Sequence, residues 1–438
     1  MSRGFARGVA LTFGTNLAVL ALGVATSVVT ARLLGPDRFG SYAVAQLFAF
    51  IVITFSNCGL APATIYHVSR GTHALREVIV NGVLISLAAG AAAMAVGAAF
   101  AWLFGARLMP GLTPPVFLVA LLLVPVTHLG TTLRAVLHGQ QRFGALSLAT
   151  AADVAARFVA MVVAVGVLHG GVRGAVAANV AGALVVALGT LAYLRPGLAG
   201  ARWRFDPGYL RASLRYGSKA FLANSMQFLN YRVDMLILNG WHGPVAVGFY
   251  SIAVLFAERL GMISGAASTV LFPRVASSAD GHTDATPTVA RVVFWSTVAC
   301  ALGFLLISRP LVRILYSPAY LPAVAPLQIL LIGMVALSVT DVVAHDFSGR
   351  GRPEVNTTIS AMTLVLNVVA CLLLVPRYGL LGAAWATAVV YTAQAIVFVG
   401  YYVRVSGKSP LDVLILRRDD LARVRRMLAP RPPVEAPV

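Results

Sequence analysis

Twelve apolar runs, each about as long as a membrane-crossing helix, constrain this chain more than any other feature. A helix needs roughly 20 apolar residues to cross the hydrocarbon core of a bilayer, and only helices and closed barrels satisfy their backbone there. The runs predict helices at 8–31, 42–67, 78–104, 115–137, 144–168, 172–194, 216–238, 247–271, 289–307, 321–344, 355–375 and 380–403. Only 11% of the residues are charged, against about 25% in soluble domains.

A repeat divides these runs into two sets of six. The motif Gly35-Pro36-x3-Gly40-x-Tyr42 recurs as Gly243-Pro244-x3-Gly248-x-Tyr250, at an offset of 208 residues (243 − 35). At the same offset Gly171-x2-Gly174-Ala175 recurs as Gly379-x2-Gly382-Ala383. We therefore predict an all-α integral membrane protein with about 12 transmembrane helices in two six-helix repeats. The Gly-Pro pair predicts a turn, and the tyrosine after it is expected to anchor at the lipid–water interface.

The repeat also predicts the domain boundaries. An N-terminal lobe covers 1–194, a cytoplasmic linker 195–215, a C-terminal lobe 216–403 and a basic cytoplasmic tail 404–438. In the tail, Pro410 is placed to begin a helix. That helix either lies on the inner leaflet through its apolar face or belongs to a solvated basic tail. The Pro-rich end, 430–438, is expected to be disordered.

The positive charge is unevenly distributed between the two sides of the predicted membrane. Of the 34 Lys and Arg residues, 24 lie in loops on the side of the N-terminus, 7 on the opposite side and 3 within apolar runs. The positive-inside rule then places both termini in the cytoplasm of a multi-pass protein, for which we expect the bacterial cytoplasmic (inner) membrane. This distribution explains the net charge of +19, so nucleic acid is not needed as a partner. The expected partners of the positive charge are membrane lipids.

Six ionisable side chains within the apolar runs are candidates for a functional role, since each charge at mid-membrane costs roughly 2.5 to 3.5 kcal/mol on insertion scales. They are Asp153, Arg157, Arg232, Asp234, Glu258 and Arg259. Asp153 and Arg157 have the i,i+4 spacing of a pair on one helix face. The charges either pair and hold helices together, or line a water-filled cleft. In a cleft the three arginines would bind a phosphate or diphosphate, and Asp153, Asp234 or Glu258 would bind a coupling H⁺ or Na⁺.

Other motifs are few. Asn16 and Asn224 occupy matching repeat positions on the first helix of each half, which favours their facing a shared cleft. The isolated cysteines Cys58, Cys300 and Cys371 indicate neither a disulfide framework nor a metal site. We find no nucleophile–base motif and no Walker-type sequence, so neither an enzyme nor a cofactor is expected.

At this point the chain resembles a known family. The first run ends in Ala31-Arg32-Leu33-Leu34-Gly35-Pro36, and the second ends in Asn57-Cys58-Gly59-Leu60. Together with the six-plus-six repeat, these resemble the multidrug/oligosaccharidyl-lipid/polysaccharide (MOP) exporter superfamily. The seventh run, Arg232–Leu238, followed by Gly248-x-Tyr250-x2-Ala253, is similar to its polysaccharide-transporter (O-antigen flippase) branch. The resemblance covers nearly the whole chain, from about residue 2 to 403.

The resemblance implies a V-shaped, MATE-like pair of lobes and a flippase that works by alternating access. Its substrate would be an undecaprenyl-diphosphate-linked oligosaccharide for O-antigen, capsule or exopolysaccharide, and its partners polysaccharide polymerase and assembly proteins. Arg157, Arg232 and Arg259 are assigned to the diphosphate by their chemistry and depth. Lipid II flippases usually carry more spans, which argues against that assignment. The alternatives are a MATE-type multidrug/cation antiporter and, from another class, a membrane polysaccharide polymerase or ligase, which should carry a large outward loop.

Overall fold

The computed structural model describes residues 3–108, 112–198, 200, 203–276, 285–420 and 423. Within them the chain forms α-helices joined by short turns. These are α1 (Arg3–Ser56), α2 (Leu60–Arg70), α3 (Leu75–Leu108), α4 (Pro114–Leu121), α5 (Leu123–Gly139), α6 (Phe143–Met161), α7 (Gly171–Leu194), α8 (Pro207–Ala257), α9 (Gly261–Ala276), α10 (Ala285–Leu315), α11 (Val324–Gly349), α12 (Pro353–Ser406) and α13 (Pro410–Leu414). A π-helical turn, Val162–Val167, extends α6, and 3₁₀ turns follow α7, α8 and α10.

The helix lengths agree with the predicted spans. Among the described residues, nine helical segments are long and apolar enough to cross a membrane. Three of them contain a residue whose backbone leaves the helical region, namely Gly35 in α1, Gly243 in α8 and Gly379 in α12. Each of these three therefore consists of two arms, which brings the nine segments to the twelve that hydropathy predicts. The all-α multi-span fold class is confirmed.

The Gly-Pro motif has the same backbone in both copies. Gly35 has φ 73° and ψ 171°, and Gly243 has φ 75° and ψ −177°. Positive φ at these positions favours glycine, and the following proline starts the second arm with its fixed φ. The other matched pair behaves alike, since Gly171 has φ 59° and Gly379 has φ 55°. The repeat read from sequence is thus also a repeat of backbone conformation.

The second glycine of the motif makes a close backbone contact. A Cβ atom at Gly40 would lie 2.2 Å from the carbonyl oxygen of Pro244, and one at Gly248 would lie 2.9 Å from the Cα atom of Gly40. No side chain fits at either distance. The two copies of the motif therefore meet through their glycines.

The expectation that the motif tyrosines anchor at the lipid–water interface is wrong for Tyr250. Tyr250 is completely buried, and its hydroxyl donates a 2.6 Å hydrogen bond to Asp234. The hydroxyl of Tyr42 accepts a 2.8 Å hydrogen bond from the side chain of Asn179. Hydropathy does not distinguish an interfacial tyrosine from one whose hydroxyl has a buried partner, because both have an apolar ring and a polar end.

The contacts of the chain divide it into two compact units. The N unit comprises Ser2–Arg232 and His242–Gly248, and the C unit comprises Val233–Trp241 and Phe249–Val438. In the N unit, α3, α5 and α7 enclose a core around Leu133. In the C unit, α10, α11 and α12 enclose a core around Phe347. Large apolar side chains such as Trp102 (85% exposed) and Leu306 (80%) point outward, as expected where the solvent is lipid.

Two predicted boundaries differ from the observed ones. The second predicted run, 42–67, is interrupted where Cys58 (φ 49°) and Gly59 (φ 72°) separate α1 from α2. Helix α8 begins at Pro207, inside the predicted linker. Proline is tolerated in the first turn of a helix, because the backbone N–H groups there have no intrahelical acceptor. The division into lobes at 195–215 stays a prediction.

The tail folds back onto the C unit instead of extending from it. Pro410 begins α13 as predicted, and Ser409 and Asp412 form a reciprocal capping box there. The helix ends at Leu414, and Asp420 then reaches the side chain of Arg291 on α10. The predicted helix beyond 420, apart from Arg423, and the end 430–438 lie outside the described residues.

Candidate functional site: buried charges in the two units

Asp153 and Arg157 form an ion pair on α6, in the predicted i,i+4 geometry. Arg157 Nε donates to Asp153 Oδ1 at 3.1 Å, and Arg134 Nη1 on α5 lies 3.9 Å from Asp153 Oδ2. The terminal nitrogens of Arg157 make no hydrogen bond to the part of the chain that is described. Two guanidinium groups around one carboxylate leave a net positive charge. Asp153 therefore orients Arg157 while leaving its outer donors able to bind an anion.

Helix α7 packs closely against this cluster. A Cβ atom at Gly182 would lie 2.6 Å from the backbone nitrogen of Arg157, so only glycine lets α6 and α7 approach here. Arg134 lies on α5, within the predicted helix 115–137.

Arg232 and Arg259 lie on different elements. Arg232 is on α8 in the N unit, where its Nη1 donates to the carbonyl oxygen of Tyr231 at 2.9 Å. Arg259 is in the C unit, within the 3₁₀ turn Glu258–Leu260 that separates α8 from α9. Arg259 Nε is buried and has no hydrogen-bond partner among the described residues. An unsatisfied buried donor costs about 1–3 kcal/mol, more when charged, so this guanidinium is suited to an anionic ligand.

Asp234 is a buried carboxylate with several hydrogen-bond donors within an apolar segment of the C unit. It is 2% exposed and accepts hydrogen bonds from the Tyr250 hydroxyl (2.6 Å) and from its neighbour's backbone N–H (2.7 Å). The Thr387 hydroxyl on α12 donates to it at 3.1 Å. These donors tie both arms of α8 to α12. The geometry supports the pairing alternative, and a role in ion coupling stays a prediction.

The Asp234 contacts have a counterpart in the other repeat. Tyr42 and Asn179 precede Tyr250 and Thr387 by the repeat offset of 208 residues. In the first copy the Asn179 side chain donates directly to the Tyr42 hydroxyl, whereas in the second copy Tyr250 and Thr387 both donate to Asp234. The residue that corresponds to Asp234 is Thr26, whose hydroxyl donates to a backbone carbonyl in its own helix. The carboxylate is therefore specific to the second copy of a shared hydrogen-bonding arrangement.

The two predicted cleft asparagines are less informative. Asn16 is exposed on the first arm of α1. The side chain of Asn224 lies outside the described residues. Their proposed position facing a shared cleft stays a prediction, as does the grouping of Arg157, Arg232 and Arg259 around one ligand.

Sequence reasoning missed a buried ion pair between α10 and the tail. Arg291, near the start of the predicted helix 289–307, is 2% exposed and donates from Nε and Nη2 to the two oxygens of Asp420, at 2.7 and 2.6 Å. Arg291 Nη1 also donates to the carbonyl of Asp412, and Trp295 Nε1 donates to that of Leu414 at 2.9 Å. We call this arrangement of Arg291, Trp295, Asp412, Leu414 and Asp420 the tail clasp.

The surroundings of Asp420 favour the ionised form of its carboxyl group in the tail clasp. Burial by itself raises the pKa of the Asp420 carboxyl, but hydrogen bonds from Arg291 and from the Arg417 backbone, with the charges of Arg291 and Arg423, lower it overall. The only sequence signal for this contact was a single acidic pair, Asp419 and Asp420, within a basic tail.

Together these features define a class of protein: a multi-span all-α protein with paired helical repeats and half-buried arginines in its apolar segments. Its fold matches a structure of the lipid II flippase MurJ, inward closed, with a TM-score of 0.78, 15% identity and coverage of 95% of this chain and 92% of that one. It also matches an inward-facing multidrug resistance MATE family transporter of the MOP superfamily, with a TM-score of 0.70, 18% identity and coverage of 89% and 95%. At these identities the likeness is one of fold.

The family follows from the sequence itself. Residues 29–325 match the model of a polysaccharide biosynthesis protein family, and the chain belongs to that family. An uncharacterised membrane protein of Methanocaldococcus jannaschii is 26% identical over 189 residues, which is 42% of this chain and 37% of that protein. The chain thus spans well under half the length of this curated relative. The polysaccharide family inferred from the motifs is confirmed by this match, and the fold agrees with that of the MOP superfamily transporter above.

Proposed function

We propose that this protein is a flippase that moves an undecaprenyl-diphosphate-linked oligosaccharide across the cytoplasmic membrane by alternating access. The observation that carries the proposal is the conjunction of a polysaccharide biosynthesis family match with half-buried arginines in apolar segments. The transporter fold allows alternating access, and the family indicates the class of cargo. The half-buried arginines have the chemistry that recognises a diphosphate.

The three arginines suit this task to different degrees. Arg157 is oriented by Asp153 with its terminal donors unengaged, and Arg259 has an unsatisfied buried Nε. Both are arranged to donate to phosphate oxygens when a ligand arrives. Arg232 contributes charge from α8, where its Nη1 donates to the carbonyl oxygen of Tyr231.

A multidrug/cation antiporter is the competing function within the same fold, and it would need carboxylates accessible to a cation. Asp153 is engaged by arginines and Asp234 by hydroxyl and backbone donors. Among the described residues, Arg157 and Arg259 keep donors without a partner, whereas Asp153 and Asp234 are occupied, so an anionic cargo is favoured over a cationic one. A coupling ion, a polymerase partner and a cytoplasmic position of both termini belong to the same proposal.

The experiment is complementation of a bacterial strain that lacks its own O-antigen flippase. Alanine replacement of Arg157, Arg232 and Arg259, one at a time, should abolish surface polysaccharide while the protein remains in the membrane at wild-type level. Arg173 and Arg313 are exposed arginines at helix ends and provide matched controls, whose alanine variants should complement. Full complementation by all three test variants would refute the assignment of the diphosphate site.

A further inference from the structure

A second cationic region lies in the N unit, away from the arginines just described. A cavity of about 990 Å³ opens between the end of α2 and the start of α8. Its lining includes Tyr66, His67, Arg211, Arg215 and Tyr216. The two helices are brought together at Gly59 and Gly217, since a Cβ atom at Gly59 would lie 2.2 Å from the carbonyl oxygen of Gly217. The cavity is therefore a product of a fixed backbone contact.

The cavity presents two arginines on one helix face. Arg211 and Arg215 are one turn apart on α8, so their guanidinium groups are neighbours. Both are exposed, and within the described residues no carboxylate lies within the 4.0 Å ion-pair distance of either one. Like charges at this spacing repel each other. An anion between them would remove that repulsion and accept hydrogen bonds from both.

A buried histidine lies beside the arginines. His67 is 4% exposed; its Nδ1 is hydrogen-bonded to the Thr72 hydroxyl at 2.8 Å. Its other ring nitrogen, Nε2, is buried and has no partner in the described part of the chain. Burial, helped by the charge of His73, lowers the pKa of His67, so the ring is neutral at neutral pH. In the tautomer in which Nδ1 accepts from the Thr72 hydroxyl, Nε2 carries the hydrogen and can donate to a ligand oxygen.

Two aromatic rings form one wall. The rings of Tyr66 and Tyr216 stack with centroids 4.3 Å apart and planes 20° apart, and the Arg70 guanidinium lies 5.8 Å from the centre of the Tyr66 ring. Tyr216 is 44% exposed, so part of its ring is available to a ligand. The apolar C–H face of a sugar ring packs on such a surface, while an arginine pair beside it binds phosphate.

A neighbouring cavity has a lining of different charge. It has a volume of about 680 Å³ and is lined by Arg76 and Arg204 together with Glu77 and Asp206. Its charges are of both signs and compensate one another. The α2–α8 cavity, in contrast, has cationic groups, a neutral imidazole and aromatic rings in its lining, and none of the lining residues that the structure describes is a carboxylate.

The geometry points to a loading site: the α2–α8 cavity binds the sugar-diphosphate head group of the lipid-linked substrate before it reaches Arg157, Arg232 and Arg259. This assignment rests on the proposed function. Arg211 and Arg215 hold the diphosphate, His67 donates to one of its oxygens, and Tyr216 contacts the first sugar. The loops that flank the cavity are among those predicted to be cytoplasmic, the side on which such a substrate would be made.

Binding to the purified full-length protein in lipid nanodiscs tests the site. The probes are undecaprenyl diphosphate bearing one N-acetylglucosamine, undecaprenyl diphosphate alone, inorganic pyrophosphate and UDP-N-acetylglucosamine. R211A/R215A should weaken binding of both lipid probes by about 10- to 100-fold, as the loss of charge-assisted hydrogen bonds predicts. R352A/R404A removes two exposed arginines from the C unit and should leave affinity within about twofold of wild type.

Two further measurements separate the roles. Y216L should weaken the sugar-bearing lipid by several-fold, on the order of one stacking contact, and leave undecaprenyl diphosphate unaffected. Phenylglyoxal labelling of the wild-type protein, read by mass spectrometry, should modify Arg211 and Arg215, and the lipid probe should protect both. This second measurement needs no variant. Labelling that the probe does not reduce would overturn the site even if R211A/R215A failed to fold.

The outcomes also distinguish this site from the proposed function. If R211A/R215A binds and transports like wild type while R157A does not transport, the loading site is wrong and the flippase proposal stands. If UDP-N-acetylglucosamine or pyrophosphate binds as tightly as the lipid probes and depends on the same arginines, the cavity takes soluble diphosphates, and its assignment to the lipid-linked cargo is overturned.

Discussion

The tail clasp gives the sharpest energetic prediction for this chain. The side chains of Arg291 and Asp420 are 3% and 0% exposed and share two hydrogen bonds of 2.7 Å or less. Removing one partner of a buried pair costs about 3–5 kcal/mol, because it leaves the other charge buried and uncompensated. D420N should therefore raise the population of the released tail by roughly 10²- to 5 × 10³-fold. The neighbouring variant D419N removes an exposed carboxylate and is the matched control.

Hydrogen exchange of the protein in nanodiscs measures this population directly. The amide of Ile415 donates to Leu411 and that of Asp420 donates to Arg417, so both are protected only while the tail is folded. Their protection should fall in D420N and stay at the wild-type level in D419N. R291M/D420L replaces both charges with apolar groups and should regain most of the protection, because no unpaired charge remains. Equal protection in all variants would refute the reasoning.

The pH dependence of the clasp follows from the same contact. The pKa of Asp420 is lowered in the folded state, because the hydrogen bonds and charges around it outweigh its burial. Its contribution to stability is therefore present above the unfolded-state pKa and is lost as the pH falls through the folded-state pKa. Wild-type protection of the tail should decrease on acidification in that range, whereas D420N should show no such decrease.

Two further perturbations test the repeat. G40A must displace a backbone oxygen that would lie 2.2 Å from the new Cβ atom, so we expect a loss of about 1–3 kcal/mol and a lower melting temperature, whereas G23A, with nothing within 4 Å, should not destabilise the protein. Y250F removes the 2.6 Å hydrogen bond to Asp234 and should cost about 1.5–3 kcal/mol in thermal stability; an unchanged melting temperature would mean that Asp234 does not depend on this hydroxyl.

Local sequence properties predicted the parts of the fold that depend on local physics. Hydropathy located the helices because each segment must satisfy its own backbone in lipid. The spaced glycines located the kinks at Gly35 and Gly243 because positive φ is a property of one residue. The i,i+4 rule found the pair Asp153–Arg157 because helix geometry alone brings those side chains together.

Contacts between distant residues were not predictable in this way. Arg291 and Asp420 are 129 positions apart, and nothing local marks either one as buried. Tyr250 was read as an interfacial residue because its partner Asp234 lies on the other arm of α8. The cavity between α2 and α8 depends on two glycine backbones in contact, which hydropathy does not report.

The most direct test of the central claim is a flipping assay in proteoliposomes. Fluorescent undecaprenyl-diphosphate oligosaccharide is incorporated, and its arrival in the outer leaflet is followed by quenching with a membrane-impermeant reductant. The account predicts that wild-type protein raises the transfer rate well above that of empty liposomes, and that R157A and R259A return it to background while R173A does not. Transfer at the background rate with wild-type protein, or at the wild-type rate with both R157A and R259A, would contradict it.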